Sequence, residues 1–221
     1  MGRPFDIITF DCYGTLIDWE GGISEAFAKA AAVDEVQLDR ARVLAAYAEL
    51  EPAVEAASYR SYRAVLTETA WHVAARLGWS LSESRAGFLA DSLPEWTPFP
   101  DTNPALERLA AAGYRLGILS NVDDDLLAGT LRHLRVKFDL LVTAQHVGSY
   151  KPAHGHLLTA RQRIGKSPWL HAAQSYFHDV VPARVLDIPV AWINRKRERA
   201  PDAGQVKREF GTLAELADWL A

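Results

Sequence analysis

A doubly wound parallel α/β sheet with an all-helical insert is the fold this sequence predicts, and three observations point to it. Five short apolar runs read as strands. Helical patterns separate the later ones, an alternation that argues for a parallel sheet closed by crossover helices. A long Ala-rich stretch with no strand signal lies between the first run and the second.

The first strand is FDIITF (5–10), a short apolar run of the kind that reads as a buried strand. It ends on Asp11, followed by a turn at Gly14 that lets backbone approach a ligand closely. The interval 19–95 follows, with apolar residues at helical spacing: Val43, Leu44, Tyr47 and Leu50, then Tyr59, Tyr62, Leu66 and Thr69. Its exit, Pro94-Glu95-Trp96-Thr97-Pro98-Phe99-Pro100, reads as a stiff linker. A core domain over 1–18 and 96–221 and a helical domain over 19–95 are therefore expected. The remaining strands are YRLGILSN (114–121), FDLLVT (138–143), AAQSYF (172–177) and PVAWINR (189–195). Helical patterns run from Asn103 to Ala112, Asp123 to Leu134, His154 to Ile164 and Pro182 to Leu186.

Composition narrows the function classes. With 221 residues, 49% of them hydrophobic and 24% charged, the chain has enough apolar material for a sizeable core. A net charge of −4 gives no support for a nucleic-acid or membrane partner. Cys12 is the one cysteine, so no internal disulfide can form and a reducing compartment is expected. The N-terminal MGRPFDIITF lacks the pattern of a secretory signal, and no apolar run approaches the length of a membrane span. A cytoplasmic location is the expectation.

Four strand ends carry polar groups, and open α/β sheets bind ligands at the carboxyl ends of their strands. Asp11 follows the first strand and Ser120-Asn121 the second. Lys151, in Gly148-Ser149-Tyr150-Lys151-Pro152, follows the third, and Asp179, in His178-Asp179-Val180-Val181-Pro182-Ala183, the fourth. A carboxylate nucleophile divides a hard displacement into ester formation and ester hydrolysis. It must stay ionised, and Lys151 supplies a positive charge that lowers its pKa. Ser120 and Asn121 offer short neutral donors for a substrate oxygen or a leaving group. Asp179 would either hold Lys151 or orient the hydrolytic water.

These segments, in this order and starting with Phe10-Asp11-Cys12-Tyr13-Gly14-Thr15, resemble the four motifs of the haloacid dehalogenase-like (HAD) hydrolases, over nearly the whole chain. The resemblance implies a HAD-like, Rossmann-type core, a helical cap inserted after the first strand that closes over the active site, and Asp11 as covalent nucleophile. HAD phosphatases carry a second Asp two residues after the nucleophile, to protonate the leaving alkoxide, where this chain has Tyr13. They also place a magnesium-binding Asp five residues before the position of Asp179, where Gln174 stands. Halide leaves without a proton. The D-x-Y-G-T-L pattern is typical of the 2-haloacid dehalogenase branch. What this implies is hydrolysis of a short 2-haloalkanoate through an aspartyl ester, with no cofactor. Magnesium belongs only to the alternative of a HAD phosphatase acting on a small phosphorylated metabolite. A catalytically idle HAD-fold binding protein is the third reading.

The catalytic set is thus Asp11, Ser120, Lys151 and Asp179, and the substrate-binding candidates are Tyr13, Thr15, Asn121, Ser175, His178 and Arg40. Leu157 stands where haloacid dehalogenases commonly have Tyr, and Gln174-Ser175-Tyr176 where they commonly read S-S-N. They grip substrate with a cap Arg. Arg40 fits that role, because its spacing with Val43, Leu44 and Tyr47 places it on an apolar helix face, although an Arg there could equally snorkel to water. Arg42, Arg60 and Arg63 are the other choices. The expected partner is a small-molecule substrate, with a homodimer left open. His154 and His156 read as a solvated pair, Arg195 to Arg199 as a solvated loop, and Cys12 as packing. Trp19 is expected to shape the pocket wall or to anchor the hinge.

Overall fold

The computed structural model describes residues 3–56, 58–201 and 207–221. In chain order the elements are β1 (Ile7–Phe10), α1 (Trp19–Ala32), α2 (Arg40–Glu55), α3 (Tyr62–Arg76), α4 (Phe88–Ser92), α5 (Thr102–Ala111), β2 (Arg115–Ser120), α6 (Asp124–Leu131) and β3 (Leu140–Thr143). There follow α7 (Ala144–Val147), α8 (Gly155–Ile164), β4 (Trp169–Ala173), a π-helical turn (Tyr176–Val180), α9 (Val181–Val185), β5 (Val190–Ile193), β6 (Glu209–Phe210) and α10 (Leu213–Leu220). They divide into two compact units. One comprises Met1–Asp18, Pro98–Asn121 and His133–Ala221. The other comprises Trp19–Thr97 and Val122–Arg132. The sequence places 122–132 with the core, whereas the structure groups it with the helices.

The first unit is built on a parallel sheet in the order β3-β2-β1-β4-β5-β6. Strands β1 and β4 are buried throughout, which explains why they read as apolar runs without alternation. One face packs under α8 and α9 in a cluster that includes Ile7, Leu119, Val142, Leu157, Ile164, Trp169 and Ala183. Right-handed crossovers put α5 on the opposite face, where α10 packs against it and the Tyr114 hydroxyl donates to Leu220 O at 2.9 Å. The order reverses between β1 and β4. In open α/β sheets that reversal is where a ligand crevice opens at the carboxyl ends. The fourth strand runs from Trp169 to Ala173, starting three residues before and ending four residues before the expected 172–177, because Trp169, Leu170 and His171 belong to its buried interior. β6 forms the sheet edge, and both β6 and α10 are additions to the predicted elements.

The second unit is all helical. Asp39 caps α2 and Ser61 caps α3 through side-chain acceptance of a backbone N–H. Asp123 adds to the second cap, accepting from the backbone N–H groups of Tyr62 and Arg63, both at 2.9 Å. The interior is formed by residues such as Phe27, Val43, Tyr47, Leu66 and Leu89, with Phe27 meeting Phe88 edge-on at 5.1 Å. Gly129 is required by close approach, since a Cβ there would lie 2.5 Å from Pro94.

Between α2 and α3 the Tyr62 hydroxyl donates to Glu51 Oε1 at 3.4 Å. Burial pushes the Glu51 carboxyl up to about 7. The folded chain therefore holds a proton that the unfolded chain releases between about 4.5 and 7. Stability from this group is complete below that window and lost as pH rises through it. Glu51→Gln is expected to raise the melting temperature at pH 8, where it removes a penalty of about 1–3 kcal/mol, and to leave it unchanged at pH 4. Equal effects at both pH values would refute a buried carboxyl.

Candidate active site

The carboxyl ends of β1 and β4 bring together groups that are far apart in sequence. Asp11 follows Phe10 directly, and its N–H donates to Ala172 O on β4 at 3.1 Å. Beyond it the chain turns sharply at Gly14, whose φ of 96° lies in the left-handed region open to glycine. The turn closes through N–H bonds from Leu16 and Ile17 to Cys12 O, at 2.7 and 3.0 Å. Thr15 is thereby carried back over the nucleophile.

Lys151 is the hub. Its buried ammonium donates to Asp11 Oδ1 at 2.7 Å, Asp179 Oδ1 at 2.7 Å and Leu119 O at 3.0 Å, which uses all three of its donors. Burial disfavours the ammonium, but the two carboxylates outweigh it and hold the lysine charged, above its ordinary value. Burial likewise raises Asp179, yet Lys151 and His171 together keep its carboxyl well below the usual range. Asp11 goes the other way. Burial pushes its carboxyl up, against the pull of Lys151 and with a further push from Asp179. The expected lowering by Lys151 is present but does not dominate, because one ammonium serves two carboxylates.

Two of the expected substrate ligands are engaged with the protein itself. The Thr15 hydroxyl donates to Asp11 Oδ2 at 2.8 Å and accepts from Gln174 N–H at 2.9 Å. Asn121 clamps the Lys151 backbone, accepting from its N–H at 2.7 Å and donating to its carbonyl at 3.2 Å. Both position the charged groups. Ser120 is buried, and its Oγ has no hydrogen-bond partner among the described residues. Ser175 caps the π-helical turn that presents Asp179, accepting from His178 N–H at 3.1 Å, with its Oγ 3.0 Å from His178 Nδ1. Single π-helical turns recur at functional sites. Burial pushes the half-buried His178 imidazole below its ordinary value, against the pull of Asp179. Tyr13 is half-buried and its backbone bridges to Ile17.

Arg40 belongs to the helical unit. It is the first residue of α2, and its side chain is exposed while Val43 and Tyr47 on the same face are buried. The apolar face thus begins one turn later than the helical spacing suggested. Arg63 pairs with Asp91 and Asp125, and Arg60 with Glu68.

Several residues of the core unit exceed what the sequence indicated. His156 is fully buried rather than solvated; its Nε2 lies 3.0 Å from Ser120 O, and burial with the nearby Lys151 charge pushes it down to about 3. Arg195 leaves its solvated run to brace the nucleophile loop. It donates to Thr15 O at 2.9 and 3.2 Å, reaches Asp101 at 3.0 Å, and lies 4.0 Å over the Phe99 ring. His171, inside β4, places Nε2 3.0 Å from Asp179 Oδ1. Alternation along the strands puts Thr9 and Asp11 on one face, a signal that could have marked this interior. Leu157 is core, and Cys12 is buried with its thiol pushed up by burial and by Asp11.

The Lys151 ammonium sits between Asp11 and Asp179. Among the described residues no group of three His, Cys, Asp or Glu is placed to hold a metal ion. No helix among them is long and apolar enough to cross a membrane.

The chain is 28% identical over 224 residues to the (S)-2-haloacid dehalogenase H-109 of Pseudomonas putida, covering 99% of both chains. It is 28% identical to a second (S)-2-haloacid dehalogenase of that organism, over 96% of this chain and 95% of the other. Among solved structures, an L-2-haloacid dehalogenase from Xanthobacter autotrophicus with chloropropionic acid covalently bound superposes with a TM-score of 0.83 at 19% identity, covering 97% of each chain. A defluorinating L-2-haloacid dehalogenase gives 0.81 at 24%, over 98% of this chain and 95% of that one. The family model of haloacid dehalogenase-like hydrolases matches residues 5–170. By that match and the arrangement of Asp11, Lys151 and Asp179, the chain belongs to the haloacid dehalogenase-like hydrolases.

Proposed function

We propose that this hydrolase cleaves the carbon–halogen bond of a short 2-haloalkanoate through an ester on Asp11. The observation that carries the reading is the Lys151 ammonium held 2.7 Å from both carboxylates. It leaves a nucleophilic carboxylate fixed by Lys151 and Thr15, with the neutral Tyr13 where an acid for an alkoxide leaving group would stand. Similarity to (S)-2-haloacid dehalogenases supports it, as does the covalently bound chloropropionic acid in the Xanthobacter enzyme's structure.

In the first step an Asp11 oxygen attacks carbon 2. The new C–O bond forms as the C–halogen bond breaks, and halide departs with the electron pair. In the second, water attacks the Asp11 carboxyl carbon and the 2-hydroxyalkanoate leaves with the oxygen that Asp11 supplied. Asp179 Oδ2, buried and without a partner among the described residues, accepts one proton of that water and passes it to the departing 2-oxyanion, while the second proton is released as Asp11 returns to its carboxylate. The buried Ser120 Oγ is a donor for the substrate or the departing halide.

A single turnover in oxygen-18 water tests the ester. Label is expected in the peptide containing Asp11, with unlabelled oxygen in the first product. Label in product alone would mean that water attacks the substrate directly. No cofactor takes part in these steps, so halide release is expected to survive EDTA. Activity lost to EDTA and restored by magnesium, with turnover of p-nitrophenyl phosphate, would instead identify a phosphatase.

A further inference from the structure

The residue that orients Asp179 is buried in the strand beside it. We propose that His171 is a positioning residue: Thr9 fixes its tautomer, and its Nε2–H aims Asp179 at Lys151. This rests on the role given to Asp179 and Lys151 above.

The assignment follows from counting donors. Indole Nε1 can only donate, and that of Trp169 lies 2.7 Å from Thr9 Oγ1. One lone pair of the hydroxyl is thereby taken. The hydroxyl proton is left for His171 Nδ1, 2.9 Å away. Nδ1 is then an acceptor, so the single proton of a neutral ring resides on Nε2, 3.0 Å from Asp179 Oδ1. That oxygen, on an ionised carboxylate, can only accept. Each link in the chain Trp169–Thr9–His171–Asp179 then pairs one donor with one acceptor, and only Asp179 Oδ2 is left over. An imidazolium would compete with the hydroxyl proton for the same gap and place a second buried cation beside Lys151.

The geometry of the sheet makes the chain rigid. Strands β1 and β4 are paired so that Ile7 faces Trp169 and Thr9 faces His171. Thr9 and His171 are both fully buried. Asp179, by contrast, comes from a short turn beyond the strand end. One of its oxygens receives two donors from different directions, the Lys151 ammonium and the His171 ring. The carboxylate cannot rotate about a single contact, and Oδ2 is held in a fixed place. Without His171 only Lys151 would orient Asp179, and Lys151 is shared with Asp11.

The test combines a tautomer measurement with kinetics. Protein labelled with nitrogen-15 histidine and lysine is compared with His171→Gln to assign the ring signals. Wild type is expected to show the Nε2–H tautomer of His171 near neutral pH. Thr9→Val, which keeps the shape and removes the hydroxyl, is expected to alter that signature and the nitrogen-15 signal of the Lys151 ammonium, while Thr9→Ser restores both. On a 2-haloalkanoate, His171→Leu should lower kcat about tenfold or more with KM nearly unchanged, as expected for one lost hydrogen bond to a charged group. His171→Gln, which can still donate from the same position, should recover part of that loss. A wild-type Nδ1–H tautomer or imidazolium would overturn the proposal. So would a folded His171→Leu enzyme within twofold of wild-type kcat. If wild type turns over no haloacid, the proposed function fails, and the histidine and lysine signals still decide the positioning role by themselves.

Discussion

Asp11→Asn is expected to abolish halide release, with a loss of at least about a thousandfold in kcat, the scale on which removal of a nucleophile acts. The amide is nearly isosteric, and its oxygen can still accept from Lys151 Nζ, which lies 2.7 Å from Asp11 Oδ1. The other contact, the Thr15 hydroxyl at 2.8 Å, loses its acceptor. Thr15 remains tied through the Gln174 N–H and through Arg195 on its own carbonyl. The fold should therefore persist, with a circular dichroism spectrum like that of wild type. Losing a carboxylate also leaves Lys151 to Asp179 alone, which strengthens that pair instead of breaking it. The chemical defect is separated from a structural one by mass analysis of the Asp11 peptide, which also excludes reversion of the amide to the acid. Retention of more than a tenth of the wild-type rate would sink the nucleophile assignment.

Which parts of this protein were legible in its sequence follows from what a one-dimensional pattern can carry. Strand ends that bear chemistry announce themselves, since an apolar run stopping at Asp11 or Ser120 breaks its own pattern at the place where a parallel sheet opens, whereas Lys151 lies beyond β3 and the short α7. Thr9, Trp169 and His171 do not. They sit within buried runs, where a hydroxyl, an indole and an imidazole are indistinguishable from packing until the register between β1 and β4 is known. The apolar pattern frames the fourth strand at 172–177 and leaves His171 outside it, whereas the strand runs from Trp169 to Ala173 with His171 in its interior. Arg195 belongs to a basic run that reads as solvated, and only the fold shows that its side chain returns to Thr15 and Asp101. Arg40 marks the opposite limit. Helical phase places it on the buried face, but phase does not say where along the helix burial begins. Assignment of 122–132 to the helical unit also depends on contacts between distant segments, such as Asp123 with the N-terminus of α3.

Lys151→Met should be the most damaging single change to the core unit. It removes the cation from between Asp11 and Asp179 and leaves two buried carboxylates, Asp11 with the Thr15 hydroxyl and Asp179 with the His171 ring. Breaking a buried charge arrangement by deleting one partner costs about 3–5 kcal/mol at neutral pH. The effect should depend on pH with opposite sign in the two proteins. In wild type, Asp179 is held below its ordinary value by Lys151 and His171, so its contribution is present at neutral pH and is lost as pH falls through the carboxylate range. In the variant the two carboxylates repel, one of them is raised, and that penalty is absent in acid and grows as pH rises past the ordinary carboxylate value. The stability gap between the proteins should therefore be widest near pH 8 and narrow markedly toward pH 4, as read by urea melts at each pH. Adding Asp179→Asn to Lys151→Met removes the repulsion. Much of the lost stability should return while halide release remains absent, because neither the charge partner of Asp11 nor the Asp179 carboxylate is restored. A pH-independent gap, or a double variant no more stable than Lys151→Met, would show that the lysine supports the unit by packing and not by its charge.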